Sequence, residues 1–139
     1  LKNYESIKIG VVPSRVLITS KEKNLNKLMR SPVLEPVIKE MLSEHVEFVK
    51  SNPDFHLKIN ANTLVKSQTV EPGFPFFSYG NASVSFVDAE NDQEFFVSSI
   101  SDIKGGDFGS QRTAGIRAYD QMKNMIIQEL RKNLLDTKE

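Results

Sequence analysis

At 139 residues, with 39% apolar and 26% charged side chains, the chain has single-domain length and ordinary globular composition, neither disordered nor fibrous. Its 18 basic side chains balance 18 acidic ones, which removes the basic surplus that a dedicated nucleic-acid binder needs to displace counterions from phosphates. Cysteine is absent and histidine occurs twice, so a disulfide, a thiolate zinc site and a thiol nucleophile are excluded, and little remains for a histidine-built metal site or triad.

The first residue is Leu1 and not methionine, so a processed or trimmed product is expected, with any signal or lipid-attachment segment upstream. No run of 18 apolar residues occurs, so no membrane-spanning helix is expected. Ile7, Ile9, Val11 and Val12 form a short apolar run of strand length before Pro13. Ser14 to Arg30 mixes Lys21, Lys23, Lys27 and Arg30 with asparagines and reads as a surface excursion, with a helical turn at Leu25 to Met29. Solvated charge is the simple account of this basic stretch, and proximity to anionic lipid the alternative. Pro32 and Pro36 suit a helix start, where a missing N–H costs least. Leu34, Val37, Ile38, Met41, Leu42 and His45 then follow three-four spacing, one face of a helix. The pattern continues through Val49 or becomes a short strand at Val46 to Val49, and Ser51 to Asp54 ends either.

Phe55, Leu57, Ile59, Ala61, Thr63 and Val65 alternate with His56, Lys58, Asn60, Asn62 and Leu64, which predicts a strand with one face in the core and the other mostly wet. A loop rich in proline, glycine and aromatic residues is expected from Glu71 to Gly80. Ala82, Val84 and Phe86 continue as a second strand. A polar turn at Asp88 to Gln93 leads into a third, Glu94 to Ile103, and the two form a hairpin. Lys104 to Gly109 reads as the last loop, with Ser110 placed to cap a helix running from Gln111 to about Leu135. That helix would be roughly 37 Å long, enough to cross a sheet. The expected fold is a single α+β domain over residues 1–139, in the order β–α–β–β–β–α, with a mainly antiparallel sheet and two helices packed on one face. Phe55, Leu57 and Ile59 should share a core with Val84, Phe86, Met122 and Ile126.

The groups that could carry chemistry are few. Asp88, Glu90 and Asp92 sit two apart as at the start of a calcium loop, but Gln93 replaces the turn glycine and Ser99 the closing glutamate. A charged hairpin tip is expected instead, with no metal and no cofactor. Gly105, Gly106, Ser110 and Arg112 surround a helix start and could hold an anion. Their spacing matches neither the P-loop nor the dinucleotide fingerprint, and glycines in a tight loop account for them as well. His45 and His56 have no nucleophile and acid in recognisable context. Phe74, Phe76, Phe77 and Tyr79 crowd four aromatic rings into six residues. A surface segment cannot easily bury them all, so they are the candidate partner-binding residues. The alternative is that two or three fold back to close the end of the core.

The order of elements resembles the small α/β domains of Gram-negative cell-envelope lipoproteins, among them the lipopolysaccharide-assembly lipoprotein, the curli-secretion lipoprotein and the activator lipoprotein of penicillin-binding proteins. The resemblance covers nearly the whole chain. It rests on Ile7-Lys8-Ile9-Gly10-Val11-Val12-Pro13, on Asp54 ahead of Phe55-His56-Leu57-Lys58-Ile59, on Val87-Asp88-Ala89 before a polar turn, and on Ala114 and Ala118 near the start of the last helix. The sequence departs from the pattern where the turn after Asp88 lacks a glycine, and the lipidated cysteine would lie upstream of Leu1. The resemblance implies a non-enzymatic, periplasm-facing domain anchored to the outer membrane through that cysteine. It would dock onto a protein partner in the envelope and bind no nucleic acid. A small ligand- or anion-binding domain using the Gly105–Gly109 loop and Arg112 is the alternative.

Overall fold

The computed structural model describes residues 13–66 and 71–135; the strand expected at Ile7 to Val12 lies outside them. The first described element is β1 (Ser14–Asn24), where a surface excursion was expected. Val16 and Glu22 are buried on one side of this strand, while Thr19 and Lys21 face out on the other. Its alternation escapes a hydropathy reading because two of the inward positions are polar, Ser20 and Glu22. Nor is there a helical turn at Leu25. Leu25 and Asn26 take φ of 54° and 68°, the two-residue turn that matches strand twist, and β2 (Lys27–Leu28) pairs back with Lys23 and Asn24.

Helix α1 (Leu34–Leu42) buries Leu34, Ile38 and Leu42. It ends before His45, whose N–H donates to the Leu42 carbonyl at 2.9 Å. The ambiguous stretch resolves to strand β3 (Val46–Phe48), parallel to the start of β1. Next come β4 (Phe55–Leu64), β5 (Phe76–Asp88) and β6 (Glu94–Asp107), then helix α2 (Gln111–Leu130), which continues as a wider π-helical turn over Arg131–Leu135. The sheet order is β2-β1-β4-β5-β6, with β3 also beside β1. β1 is parallel to β3 and β4 and every other pairing is antiparallel. The architecture is thus α+β with a mixed, largely antiparallel sheet, and to the expected elements it adds β1, in place of the surface excursion, and the short strands β2 and β3. β5 starts at Phe76 inside the expected aromatic loop. β6 runs to Asp107, so Gly105 and Gly106 are strand residues.

Phe55, Leu57, Ile59, Val84 and Phe86 share one buried cluster with Leu34 and Ile38 of α1 and Tyr119, Met122 and Ile126 of α2. Both helices therefore cover the same sheet face, and the expected core partners do meet. At this interface α2 lies very close to the strands. A Cβ on Gly105 would stand 2.2 Å from the Ala118 nitrogen, and one on Gly115 1.8 Å from the Asn24 side chain. Ala114 and Ala118 complete this small-residue seam.

The core also holds a carboxylate. Glu22 is 3% exposed, yet it has no basic partner among the described residues. Its Oε1 accepts the N–H groups of Val33 and Leu34 at 2.7 and 2.8 Å, and its Oε2 accepts Glu35 N–H at 2.9 Å and the Ser20 hydroxyl at 2.7 Å. These are the first N–H groups of α1, which residue 33, a valine, cannot cap. Pro36 has no N–H to satisfy, so one side chain from β1 meets the whole first turn. The negative charge also faces the positive end of the helix. Nearby, the buried Tyr119 hydroxyl donates to the Lys23 carbonyl at 2.7 Å. Burial, reinforced by the Glu22 charge, raises its pKa well above the usual tyrosine value.

Replacing Glu22 by alanine leaves three helix N–H groups without an acceptor and should cost about 3 kcal/mol or more in a urea titration. Glu22→Gln keeps one acceptor oxygen and should fall between alanine and the parent. A loss near zero for alanine would mean that water caps α1 equally well.

Candidate functional site

Strand β5 places the aromatic group in two directions. Phe77 and Tyr79 point to the sheet face that the helices leave open, beside Leu64 of β4, the register partner of Tyr79. Phe76 points the opposite way by strand alternation and is half-buried. Phe74 precedes the strand and is 60% exposed, while Phe77 is 37% exposed. Phe108 just beyond β6, 73% exposed, lies at the same end of the sheet, because Phe76 pairs with Asp107. It was missed as a site residue because its neighbours, Asp107 and Gly109, read only as turn. Its signal was an aromatic ring in a segment too polar to bury it.

Two lysines hold the rings of the open face. The Lys104 ammonium lies 4.3 Å from the centre of the Phe77 ring, and that of Lys66 4.4 Å from Tyr79. Lys66 also pairs with Asp102 at 3.0 Å. The result is a partly exposed aromatic and basic face on rigid strands, with Phe74 and Phe108 at its rim. Tyr79 is part of it, but the second half of the expected loop, from Phe76 to Gly80, is strand.

The expected anion set does not converge. Gly105 is buried against the backbone of α2, filling the helix–strand seam. Ser110 caps α2, its hydroxyl accepting Thr113 N–H at 3.0 Å. The N–H groups of Gly109 and Ser110 are taken by Asp107 Oδ2 at 2.8 and 3.0 Å, so a carboxylate already sits where an anion was expected. Asp107 also accepts from Arg117 at 3.0 Å. That bond first, then those from Gly109 and Ser110, holds its pKa below the ordinary carboxylate value. Arg112 is turned away from these groups and lines a groove beneath the β1–β2 hairpin.

The remaining polar groups form local structure. Asp88 Oδ1 accepts Glu90 N–H at 2.9 Å, and Asp92 takes a φ of 61°, as a tight hairpin tip requires. His56 lies 3.0 Å from the Thr19 hydroxyl on the open sheet face. Burial and then the Lys58 charge lower its pKa, with Asp92 opposing. Among the described residues no group of three metal-ligating side chains comes together, and no helix is long and apolar enough to cross a membrane.

No family model matches the chain, and no curated protein matches it. Solved structures of the same fold do. A homologue of the neuraminyllactose-binding hemagglutinin from Helicobacter pylori superposes with a TM-score of 0.56 at 15% identity, over 88% of this chain and 85% of that one. A Xanthomonas campestris protein of the DUF330 family gives 0.51 at 10% identity, over 88% and 86%. A protein from Caulobacter crescentus assigned as a lipoprotein gives 0.51 at 13% identity, over 84% and 92%. The likeness is one of fold: the chain shares its α+β architecture with these proteins from Gram-negative bacteria.

Gly105→Ala should lower stability by roughly 3 kcal/mol in denaturant, since strand and helix backbones must move apart; a phosphate-cradling loop glycine would tolerate the change. Asp107 makes a pH prediction. Its folded pKa lies below the unfolded value, so its stabilisation is complete above a pH of about 4 and is lost as the pH falls through the folded value. Asp107→Asn should therefore flatten the dependence of stability on pH below about 4, read from urea midpoints across an acid series.

Proposed function

We infer that this chain is a non-enzymatic interaction module of the Gram-negative cell envelope, which docks a protein partner against the open aromatic face formed by Phe77, Tyr79 and Leu64, with Phe74 and Phe108 at its rim. The observation that carries this reading is the exposure of three phenylalanine rings at one end of one sheet. Scattered exposed apolar residues are ordinary, but clustered aromatic rings are what protein contacts select. Strand β5 and the two lysines hold Phe77 and Tyr79 in place before any partner arrives, so little side-chain entropy is lost on docking. Phe76, facing the other way, serves the fold and not the contact.

The envelope setting rests on the lipoprotein-like fold together with the resemblance to the lipopolysaccharide-assembly, curli-secretion and penicillin-binding-protein-activator lipoproteins. In this reading the domain faces the periplasm and is held at the outer membrane by a lipid on an upstream cysteine. The side chains with displaced pKa values support a role without catalysis. Asp107 and Tyr119 are engaged in structural bonds, and His56 meets the Thr19 hydroxyl.

The test is a Phe74→Ser, Phe77→Ser, Phe108→Ser triple variant exported to the periplasm of a Gram-negative host. Its melting temperature should stay within a few degrees of the parent, because these rings are exposed. Partner recovery after cross-linking in the envelope should collapse, since anchors of this type typically carry about 2 kcal/mol or more each, roughly 30-fold in affinity. Unchanged recovery would remove the aromatic face from consideration, and a strong loss of stability would assign the rings to closing the core.

A further inference from the structure

A second surface lies on the other flank of α2, independent of the aromatic face. The β1–β2 hairpin overhangs the start of α2 and encloses a groove of about 670 Å³, within the range of about 300–1,000 Å³ typical of small-molecule sites. Its walls are aliphatic: Leu25, Leu28 and Met29 from the hairpin and Ile116 from α2. Leu28 is 69% exposed, an unusual position for a leucine in a two-residue strand that buries nothing else. Three cations line the same groove, Lys27, Arg30 and Arg112. None of them forms an ion pair among the described residues, and no carboxylate lines the groove. The nearby acid, Glu22, has both oxygens occupied by its four donors.

The overhang is held in place and not left to swing. Leu25 N–H donates to Thr63 Oγ1 at 2.9 Å, Asn26 N–H to Asn62 Oδ1 at 3.0 Å, and Met29 N–H to the Glu22 carbonyl at 2.9 Å. The Asn24 amide donates to the Arg112 carbonyl at 3.0 Å, tying hairpin to helix. Leu25 keeps a φ of 54°, a left-handed conformation unfavourable for leucine, and the bond to Thr63 fixes it there.

We propose that this groove binds a single-chain anionic amphiphile of the fatty-acid class, with its alkyl chain against Leu25, Leu28, Met29 and Ile116 and its head group among Lys27, Arg30 and Arg112. An inorganic anion would leave the aliphatic walls wet, and an uncharged alkane would leave three cations facing an apolar chain. Only a molecule that is both apolar and negatively charged satisfies walls and rim together. The groove ends at solvent, so the head group keeps partial hydration while the chain leaves water.

The experiment is calorimetric titration of the purified chain with tetradecanoate below its micellar concentration, beside tetradecanol and inorganic phosphate. Saturable binding of tetradecanoate at one site is expected, with tetradecanol weaker by about tenfold or more and phosphate without measurable heat. Lys27→Gln, Arg30→Gln, Arg112→Gln together, and Leu28→Asp separately, should each weaken binding by about tenfold or more. Both lie at exposed positions, so the melting temperature of the unliganded protein should not move. Absence of saturation, equal binding by the parent and both variants, or heat from phosphate alone would each overturn the proposal. So would a change of oligomeric mass in Leu28→Asp, which would make the groove a contact between two copies, or binding to anionic vesicles with none to the monomeric acid.

Discussion

The carboxylate of Glu22 is the constraint on which the rest of the architecture depends. Its main chain pairs with Ala61 across the parallel β1–β4 ladder, its carbonyl accepts Met29 N–H behind the hairpin, and its side chain caps α1. One residue thus fixes a strand, a turn and a helix relative to each other. An acid buried without a cation is ordinarily expensive. Here four donors replace its hydration, three of them backbone groups that would otherwise be unmet at a helix end. A lysine or arginine partner would bring its own desolvation cost; peptide N–H groups bring none beyond what the helix already carries. The crossover from β1 to β4 through α1 is therefore locked from inside the core, and α1 is placed well enough to share a cluster with α2.

The second constraint is distance. Gly105 and Gly115, with Ala114 and Ala118, let α2 approach β6 on one side and the β1–β2 hairpin on the other until backbone meets side chain. The helix then serves as a wedge with a different surface on each flank. On the β6 flank its start is closed by Ser110 and Asp107. On the hairpin flank Arg112 and Ile116 form the floor of an open groove. The same closeness that makes Gly105 structural thus decides which helix residues are left for binding.

Residues with strict periodicity could be read from the sequence, and residues whose role is set by a distant partner could not. The alternation in Phe55 to Thr63 and the stripe from Ala118 to Ile126 name their own core faces, and Ser110 names itself as a cap. β1 was misread because Ser20 and Glu22 point inward, and polar inward residues make sense only once α1 is in place above them. Gly105 and Gly106 looked like loop glycines because sequence shows composition, while the close approach that demands Gly105 is made by the backbone of α2 packed over β6. The aromatic cluster was visible, but its division into Phe77 and Tyr79 on the open face and Phe76 behind it required the start of β5. Phe108 joins it only through the β5–β6 register, and the groove beneath the hairpin could not be seen at all, since Arg112 and Leu28 are 84 positions apart.

The helices occupy one sheet face, so the other must live with water. Its centre does so with Thr19, Lys21, Asn60, Asn62, Asn81, Ser83 and Ser99, a polar surface that neither aggregates nor offers an anchor. Much of the apolar exposure lies toward the ends of strands, where pairing stops and a side chain can stand clear of its neighbours, although Val97 within β6 and Met125 on α2 are exposed as well. The two proposed sites follow this pattern: one gathers where β5 begins and β6 ends, the other where β1 turns into β2. In the hairpin the backbone leaves regular geometry at Leu25 and Asn26, and at each site lysine or arginine side chains border the apolar surface. The two proposed recognition surfaces therefore both lie at strand ends, positioned by the Glu22-centred core.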